Sequence, residues 1–240
     1  MLLLGIDTAT PVTSVAIGTE HETLAALDVR AERGHARLLA PAVRWLLEEA
    51  RIEAAALGGV AVGVGPGLFS GLRVGVGTAK ALAQAWGRPM VAVSSLDLLA
   101  FAHRQARRAV CAVIDGRRGE VFAALYRQVP GGAVRLTQPQ VIRPDELAAG
   151  IQARSEDMLL VGDGALAYRR VFERLAEQVE LGSPARSWPS ATCLVELAAP
   201  RFEREEFVQS FEVTPLYLRR PDIDPHAERH VAGGARRAVV

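Results

Sequence analysis

Residues 59–99, GVAVGVGPGLFSGLRVGVGTAKALAQAWGRPMVAVSSLDLL, decide the reading of this chain. The apolar, β-branched run Val60 to Val64 is a strand, and Gly65-Pro66-Gly67 stops strand and helix alike. A helix is expected from about Ser70 to Trp86, with a second strand at Met90 to Val93 and a new helix from about Ser95 to Arg104. Gly71, Gly75, Ala79 and Ala83 recur four apart and so share one helix face. Glycine inside a helix costs about 1 kcal/mol against alanine, so that face is expected to be closely approached. The expected neighbour is another helix, from another subunit.

The segment is not a nucleotide fingerprint. A Walker loop needs Gly-Lys-Ser/Thr, and Lys80 stands between Ala79 and Ala81. The dinucleotide pattern fails as well, because Gly63-Val-Gly65 reaches Leu68 and Gly65-Pro-Gly67 reaches Ser70 at the sixth place.

Upstream, Leu2 to Asp7, Val12 to Gly18 and Thr23 to Arg30 read as three antiparallel strands. His35 to Arg51 carries Leu39, Val43, Leu46, Leu47 and Ala50 at helical spacing and reads as an amphipathic helix. Three strands followed by alternating helix and strand is the order of ribonuclease-H-like and actin-like ATPase lobes. The pattern then restarts. Val110 to Asp115 and Gly119 to Leu125 repeat the strand, aspartate, turn and strand of residues 2–17. The expected fold is therefore α/β and actin-like. An N-terminal lobe spans 1–106, a reduced C-terminal lobe 107–220 and a mobile tail 221–240. In the second lobe, short helices are expected at Asp145 to Ile151 and Ser190 to Leu197, a strand at Met158 to Val161, and an amphipathic helix at Ala165 to Gln178.

Composition narrows the function classes. Of 240 residues half are apolar, enough for packed helix and sheet layers, while a net charge of +1 gives no general pull on nucleic acid. Cys111 and Cys193 stand far apart without metal or disulfide spacing and are expected buried and reduced. Met1 to Ile6 lacks a basic start and is too short for a signal sequence or membrane span, so the cytoplasm is the expected compartment, with no membrane partner.

Asp7 and Asp115 end strands where actin-like kinases organise Mg²⁺ and phosphate, which makes Asp7, Thr8, Thr10 and Asp115 candidates to face a nucleotide. Against this, Thr8-Ala9-Thr10-Pro11 offers no glycine for backbone approach to a phosphate, and a strand-end aspartate also caps its own turn. His226 and His230, four apart in the tail, lack an apolar stripe to hold them as a metal pair. His35 reads as a capping or packing residue, and His21 and His103 as surface residues.

In order along the chain stand LLLGIDTATPVTSVAI, His35 with Leu38-Leu39 and Pro41, GVGPGLFSGLRVGVGTAKALA, PMVAVSSLDLLA, DGRRGEVF, VGDGA and PLYLR. Over about residues 1 to 220 the chain closely resembles the TsaB (YeaZ) family, with Gly65 to Arg73 as its most specific match. The resemblance implies a non-catalytic subunit in the making of N6-threonylcarbamoyladenosine beside the anticodon of tRNAs that read codons starting with A. It implies pairing with a paralogous TsaD-like transferase through a helical bundle, joined by a TsaE-like ATPase, with tRNA bound through the complex. It implies no cofactor of the chain's own, ATP or ADP at the subunit junction, and self-dimerisation when the partner is missing.

The catalytic paralogue carries a metal-binding His-x-x-x-His, at whose two positions this chain has Ser95 and Leu99. The partner surface is expected on Leu39, Val43, Leu46, Gly71, Arg73, Val74, Gly75, Thr78, Ala79 and Leu82, with Gly75→Leu expected to block pairing in a folded monomer. The competing reading is an enzyme, either a phosphotransferase using Asp7 and Asp115 or a metallopeptidase. Direct tRNA binding would rest on Arg117-Arg118 and Arg219-Arg220.

Overall fold

The computed structural model describes residues 1–30, 34–175 and 177–219. The tail, Arg220, His226 and His230 lie outside the described residues.

The first half runs β1 (Leu3–Asp7), β2 (Val12–Gly18), β3 (Thr23–Arg30), α1 (His35–Glu49), β4 (Gly59–Gly63), α2 (Phe69–Trp86), β5 (Met90–Val93) and α3 (Ser95–Ala102). The second runs β6 (Ala109–Arg117), β7 (Glu120–Val129), β8 (Gly132–Arg135), β9 (Gln140–Ile142), α4 (Pro144–Gln152), β10 (Met158–Val161), α5 (Asp163–Ala167), α6 (Arg169–Phe172), β11 (Val179–Leu181) and α7 (Ala191–Glu203).

The two sheets have the same topology. One is ordered β3-β2-β1-β4-β5 and the other β8-β7-β6-β10-β11, with β9 added against β7. In each, an antiparallel hairpin leads into parallel strands, as β1 pairs antiparallel with β2 and parallel with β4. The second half keeps all five sheet positions. Its central strands β6 and β7 are longer than any in the first half, and its reduction lies in the short strands β8, β10 and β11 and in the region expected as one helix over Ala165 to Gln178, which is broken into α5, α6 and a 3₁₀ turn at Glu173–Leu175.

Both faces of each sheet are covered, which is why its central strands read as continuous apolar runs rather than alternating ones. On the first sheet, Leu4, Ile6, Val60 and Val62 meet Leu39, Val43 and Leu46 of α1 and Val76 and Ala79 of α2. Its other face, with Leu3, Ala61 and Val91, is closed by Leu194, Val195, Ala198 and Phe202 of α7. On the second sheet, α3 supplies Leu96, Leu99 and Ala100 against Val110, Ala112 and Tyr126, and α4 covers the far side with Leu147 and Ile151. Each half thus gives its last helix to the other's sheet. This also explains why α7, expected to end at Leu197, continues through Pro200 to Glu203: Ala198, Ala199 and Phe202 are buried beyond that point.

After α7 the chain returns over the first half. Val208 bridges Met90 at the free edge of β5, Lys80 Nζ donates to the carbonyls of Val213 at 2.9 Å and Phe211 at 3.3 Å, and Leu216 N donates to Val64 O. The strap ends with Arg219 paired to Glu120 of β7 at 2.9 Å. Among the described residues no helix is long and apolar enough to cross a membrane.

Candidate functional site

The β1–β2 turn and the Gly65-Pro66-Gly67 loop form one interlocked unit. Asp7, at the end of β1, accepts from its own turn at Ala9 N (2.9 Å) and from Ser95 Oγ (2.7 Å). Ser95 Oγ in turn accepts from Gly65 N at 3.2 Å, and Ser95 N donates to Gly65 O. Leu68 N donates to Ala9 O, so two amides of this loop are already engaged inside the protein. Burial pushes the Asp7 carboxyl up to about 6, against the pull of the Ala9 and Ser95 hydrogen bonds. Asp7 and Thr8 are each about 1% exposed and do not reach a cleft. Of the four nucleotide candidates, only Thr10 and Asp115 line one.

The small-residue face of α2 also differs from expectation. A Cβ on Gly71 would strike Thr8 O, and one on Gly75 would strike Thr8 Oγ1, the hydroxyl that donates to Gly71 O at 2.8 Å. The close neighbour is therefore the chain's own β1–β2 turn, not a second subunit. Ala79 lies in the first core, as do Leu39, Val43 and Leu46 of α1, all at most 3% exposed. None of these six residues is available to a partner. They read as interface because a spacing of four identifies a helix face but not what it faces.

Arg73, Val74, Thr78 and Leu82 lie on the accessible side of α2. With them the structure exposes Gly77, Ala81 and Ala85, a second small-residue row about 200° round the helix from Gly75, on its far side. A Cβ on Gly77 would meet nothing within 4 Å. Trp45, 48% exposed, stands on the neighbouring α1. The Gly77 row carries the same four-residue signal as the Gly75 row, and the spacing alone does not tell the covered row from the open one.

Between the lobes, Thr10, Arg30, Asp115, Arg117, Asp163 and Trp188 surround a cleft of about 290 Å³. Asp163, within the VGDGA motif, has no spacing in the sequence that marks it as a site residue. It opens α5 after Gly162, whose φ of 111° suits glycine, and accepts from Asp115 N at 3.1 Å. Burial, aided by the nearby Asp115 charge, lifts its carboxyl to about 6. Arg117 pairs with Asp115 at 3.3 Å. Two carboxyl groups and the guanidiniums of Arg30 and Arg117 thus face this cleft, while Asp7 is sealed behind the turn.

The positions aligned with a metal pair are closed. Ser95 and Leu99 are fully buried and Ser95 is committed to Asp7. Among the described residues no group of three His, Cys, Asp or Glu side chains is placed to hold a metal. His35 is packed, bonded through Nδ1 to Thr13 Oγ1 at 2.7 Å, and burial keeps it below the usual imidazole range. Cys111 is buried, its thiol pushed up to about 12 by desolvation, whereas Cys193 is only partly buried.

Residues 29–227 match the family model described as TsaD: tRNA N6-adenosine threonylcarbamoyltransferase. The chain is 29% identical over 232 residues to the tRNA threonylcarbamoyladenosine biosynthesis protein TsaB of Haemophilus influenzae, covering 91% of this chain and 94% of that protein. Among solved structures it is similar to YeaZ from Pseudomonas aeruginosa, with 31% identity, a TM-score of 0.75, and coverage of 90% and 99%. The likeness to (R)-2-hydroxyglutaryl-CoA dehydratase component A of Acidaminococcus fermentans, at 14% identity, TM-score 0.52 and coverage of 84% and 98%, concerns the actin-like fold alone.

Proposed function

The chain belongs to the TsaD family, on its TsaB (YeaZ) branch, and from that premise we propose that it serves tRNA threonylcarbamoyladenosine biosynthesis as a non-catalytic, activating subunit. Its partner is a TsaD-like transferase paralogue, and the pair, joined by a TsaE-like ATPase in the cytoplasm, modifies the adenosine beside the anticodon. ATP or ADP belongs at the subunit junction rather than in the cleft beside Asp115 and Asp163. The chain dimerises with itself when the partner is missing.

The outward face of α2 carries this reading. An exposed glycine in mid-helix weakens the helix by about 1 kcal/mol with no return inside the chain, since nothing lies within 4 Å of a Cβ on Gly77. A partner helix seated on Gly77, Ala81 and Ala85 restores that loss, because small residues let two helix axes approach to about 8 Å. Val74, Thr78 and Leu82 flank the row, and Trp45 on α1 offers a large aromatic anchor beside it. The enzyme readings lose support at their own residues: Asp7 is turned inward, and Ser95 and Leu99 offer a metal no open ligand.

The test mixes the chain with its transferase paralogue, the ATPase, threonylcarbamoyl-adenylate, ATP and unmodified tRNA, and measures modified adenosine. Product that requires the chain, with none from the chain alone, supports the activating role; equal product without it overturns that role. Gly77→Leu is expected to abolish pairing in sedimentation while the melting curve stays that of a folded protein. Wild-type association by Gly77→Leu would remove α2 as the docking face.

A further inference from the structure

Trp188 separates the cleft of Asp115 and Asp163 from a second cavity, of about 620 Å³, which opens between the end of α3, the start of α7 and the 184–186 turn. The indole lines both spaces and is only partly buried. The two sides of this tryptophan carry different groups. Asp115 and Asp163 stand with Arg30 and Arg117 on one side; Arg104, Arg186, His103 and Asp28 stand on the other.

Not all of that positive charge is free. Arg104 is paired with Glu196 at 2.6 Å, and Arg108 reaches Glu180 at 3.7 Å. His103 is kept below the usual imidazole range by burial first and by the Arg186 charge as well, so at neutral pH it is uncharged. Asp28 also lines the cavity, its carboxylate held to the wall by a 2.5 Å hydrogen bond from Ser14 Oγ and still negatively charged. Arg186 is exposed and has no carboxylate partner among the described residues, and the same holds for Arg107, one residue beyond the wall residue Ala106. Arg186, with Arg107 close by, is therefore the guanidinium at this mouth left open to an anion.

The size lies within the range of about 300–1,000 Å³ typical of small-ligand sites. A bare inorganic anion would leave most of the space and the indole unused. A nucleotide supplies both a flat base for the indole and a phosphate for a guanidinium. Its base must be free of a duplex, since bases within stacked pairs offer no open face.

We propose that this cavity holds one unpaired nucleotide of an RNA strand, its base stacked on Trp188 and its phosphate against Arg186. The proposal rests on the reading of the chain as a tRNA-modification subunit, and it names where this subunit touches the RNA.

Binding of unmodified tRNA to the chain paired with its transferase tests it, read by filter retention from about 50 to 200 mM salt. Trp188→Ala is expected to weaken binding about tenfold, with Trp188→Phe restoring most of it. Arg186→Gln is expected to reduce the slope of log affinity against log salt by about one phosphate contact. Pairing with the transferase, followed by sedimentation, is expected to be unchanged in all three.

Titrating a single-stranded RNA oligonucleotide into the chain alone repeats the reading without the transferase, so loss of pairing and loss of RNA contact register separately. Wild-type affinity and salt slope in both Trp188→Ala and Arg186→Gln, with normal melting curves, would overturn the proposal. Adenosine monophosphate binding the chain as tightly as the oligonucleotide would overturn the RNA source and leave a free-nucleotide site.

Discussion

Thr8 and Gly75 share one space: the Thr8 hydroxyl fills the position that a Cβ on Gly75 would take, and it donates from there to Gly71 O at 2.8 Å. Helix α2 is thereby fastened to the β1–β2 turn through the absence of two side chains. Its opposite edge, at Gly77, meets nothing of the chain itself.

These two glycines should respond oppositely to the same substitution. Gly75→Ala forces an atom into an occupied position and is expected to destabilise the fold by about 1–3 kcal/mol. Gly77→Ala has room and is expected to add about 0.5–1 kcal/mol. Urea midpoints measure both, and a Gly75→Ala protein as stable as the parent would contradict the packing described for Thr8.

Acidity should distinguish Asp7 from an asparagine in its place. Its carboxyl titrates near 3.8 when exposed and at about 6 in the fold, so the folded protein holds the proton more tightly. That contribution is fully present below about pH 4 and lost as pH rises to about 6, amounting to about 3 kcal/mol. The stability of Asp7→Asn relative to the parent should therefore improve from pH 4 to 6 and level off above. Asp163 has the same sign but is present in both proteins, so the difference isolates Asp7. A flat difference across that range would mean that burial does not raise the Asp7 carboxyl.

On α3, Asp97 accepts from Tyr126 Oη at 2.8 Å and from both Arg135 Nη2 (2.6 Å) and Nε (3.1 Å), joining the helix to the second sheet. Asp97→Ala leaves a buried phenol and a half-buried guanidinium without their acceptor. A loss of about 2 kcal/mol is expected, seen as a lower Tm. Asp97→Asn, which keeps one acceptor oxygen, should lose less.

The strap after α7 depends on the chain's single lysine. Replacing Lys80 with methionine keeps the stem and removes the donors to Phe211 O and Val213 O. Global stability should fall by only about 1 kcal/mol, while chymotrypsin cuts faster at Phe207 and Phe211, which are already 37% and 75% exposed. Unchanged cleavage rates would show that Val213, buried in the core, holds the strap without Lys80.

Much of the architecture is readable in the residues because strands covered on both faces leave dense apolar runs, and glycine with proline punctuates them. The duplicated hairpin around Asp7 and Asp115 belongs to that class, and both sheets bear it out. The burial direction of a helix face is a different kind of information. Gly75 and Gly77 look equivalent along the chain, and only the position of Thr8 separates them. Asp163 was hidden for the same reason, since its meaning comes from Asp115 N, brought to it across β6 and β10. Pro200 illustrates the converse: a local helix breaker is overruled when Ala198, Ala199 and Phe202 gain a sheet to cover.

The crossed placement of α3 and α7 has a consequence for synthesis. As the chain leaves the ribosome, the first sheet can assemble with α1 and α2, but its Leu3, Ala61 and Val91 face waits for α7, which follows every strand of the second sheet. A nascent first half is thus an open hydrophobic surface in need of temporary shelter. Completion then closes both sheets together, so denaturation should follow a single cooperative transition rather than one for each lobe.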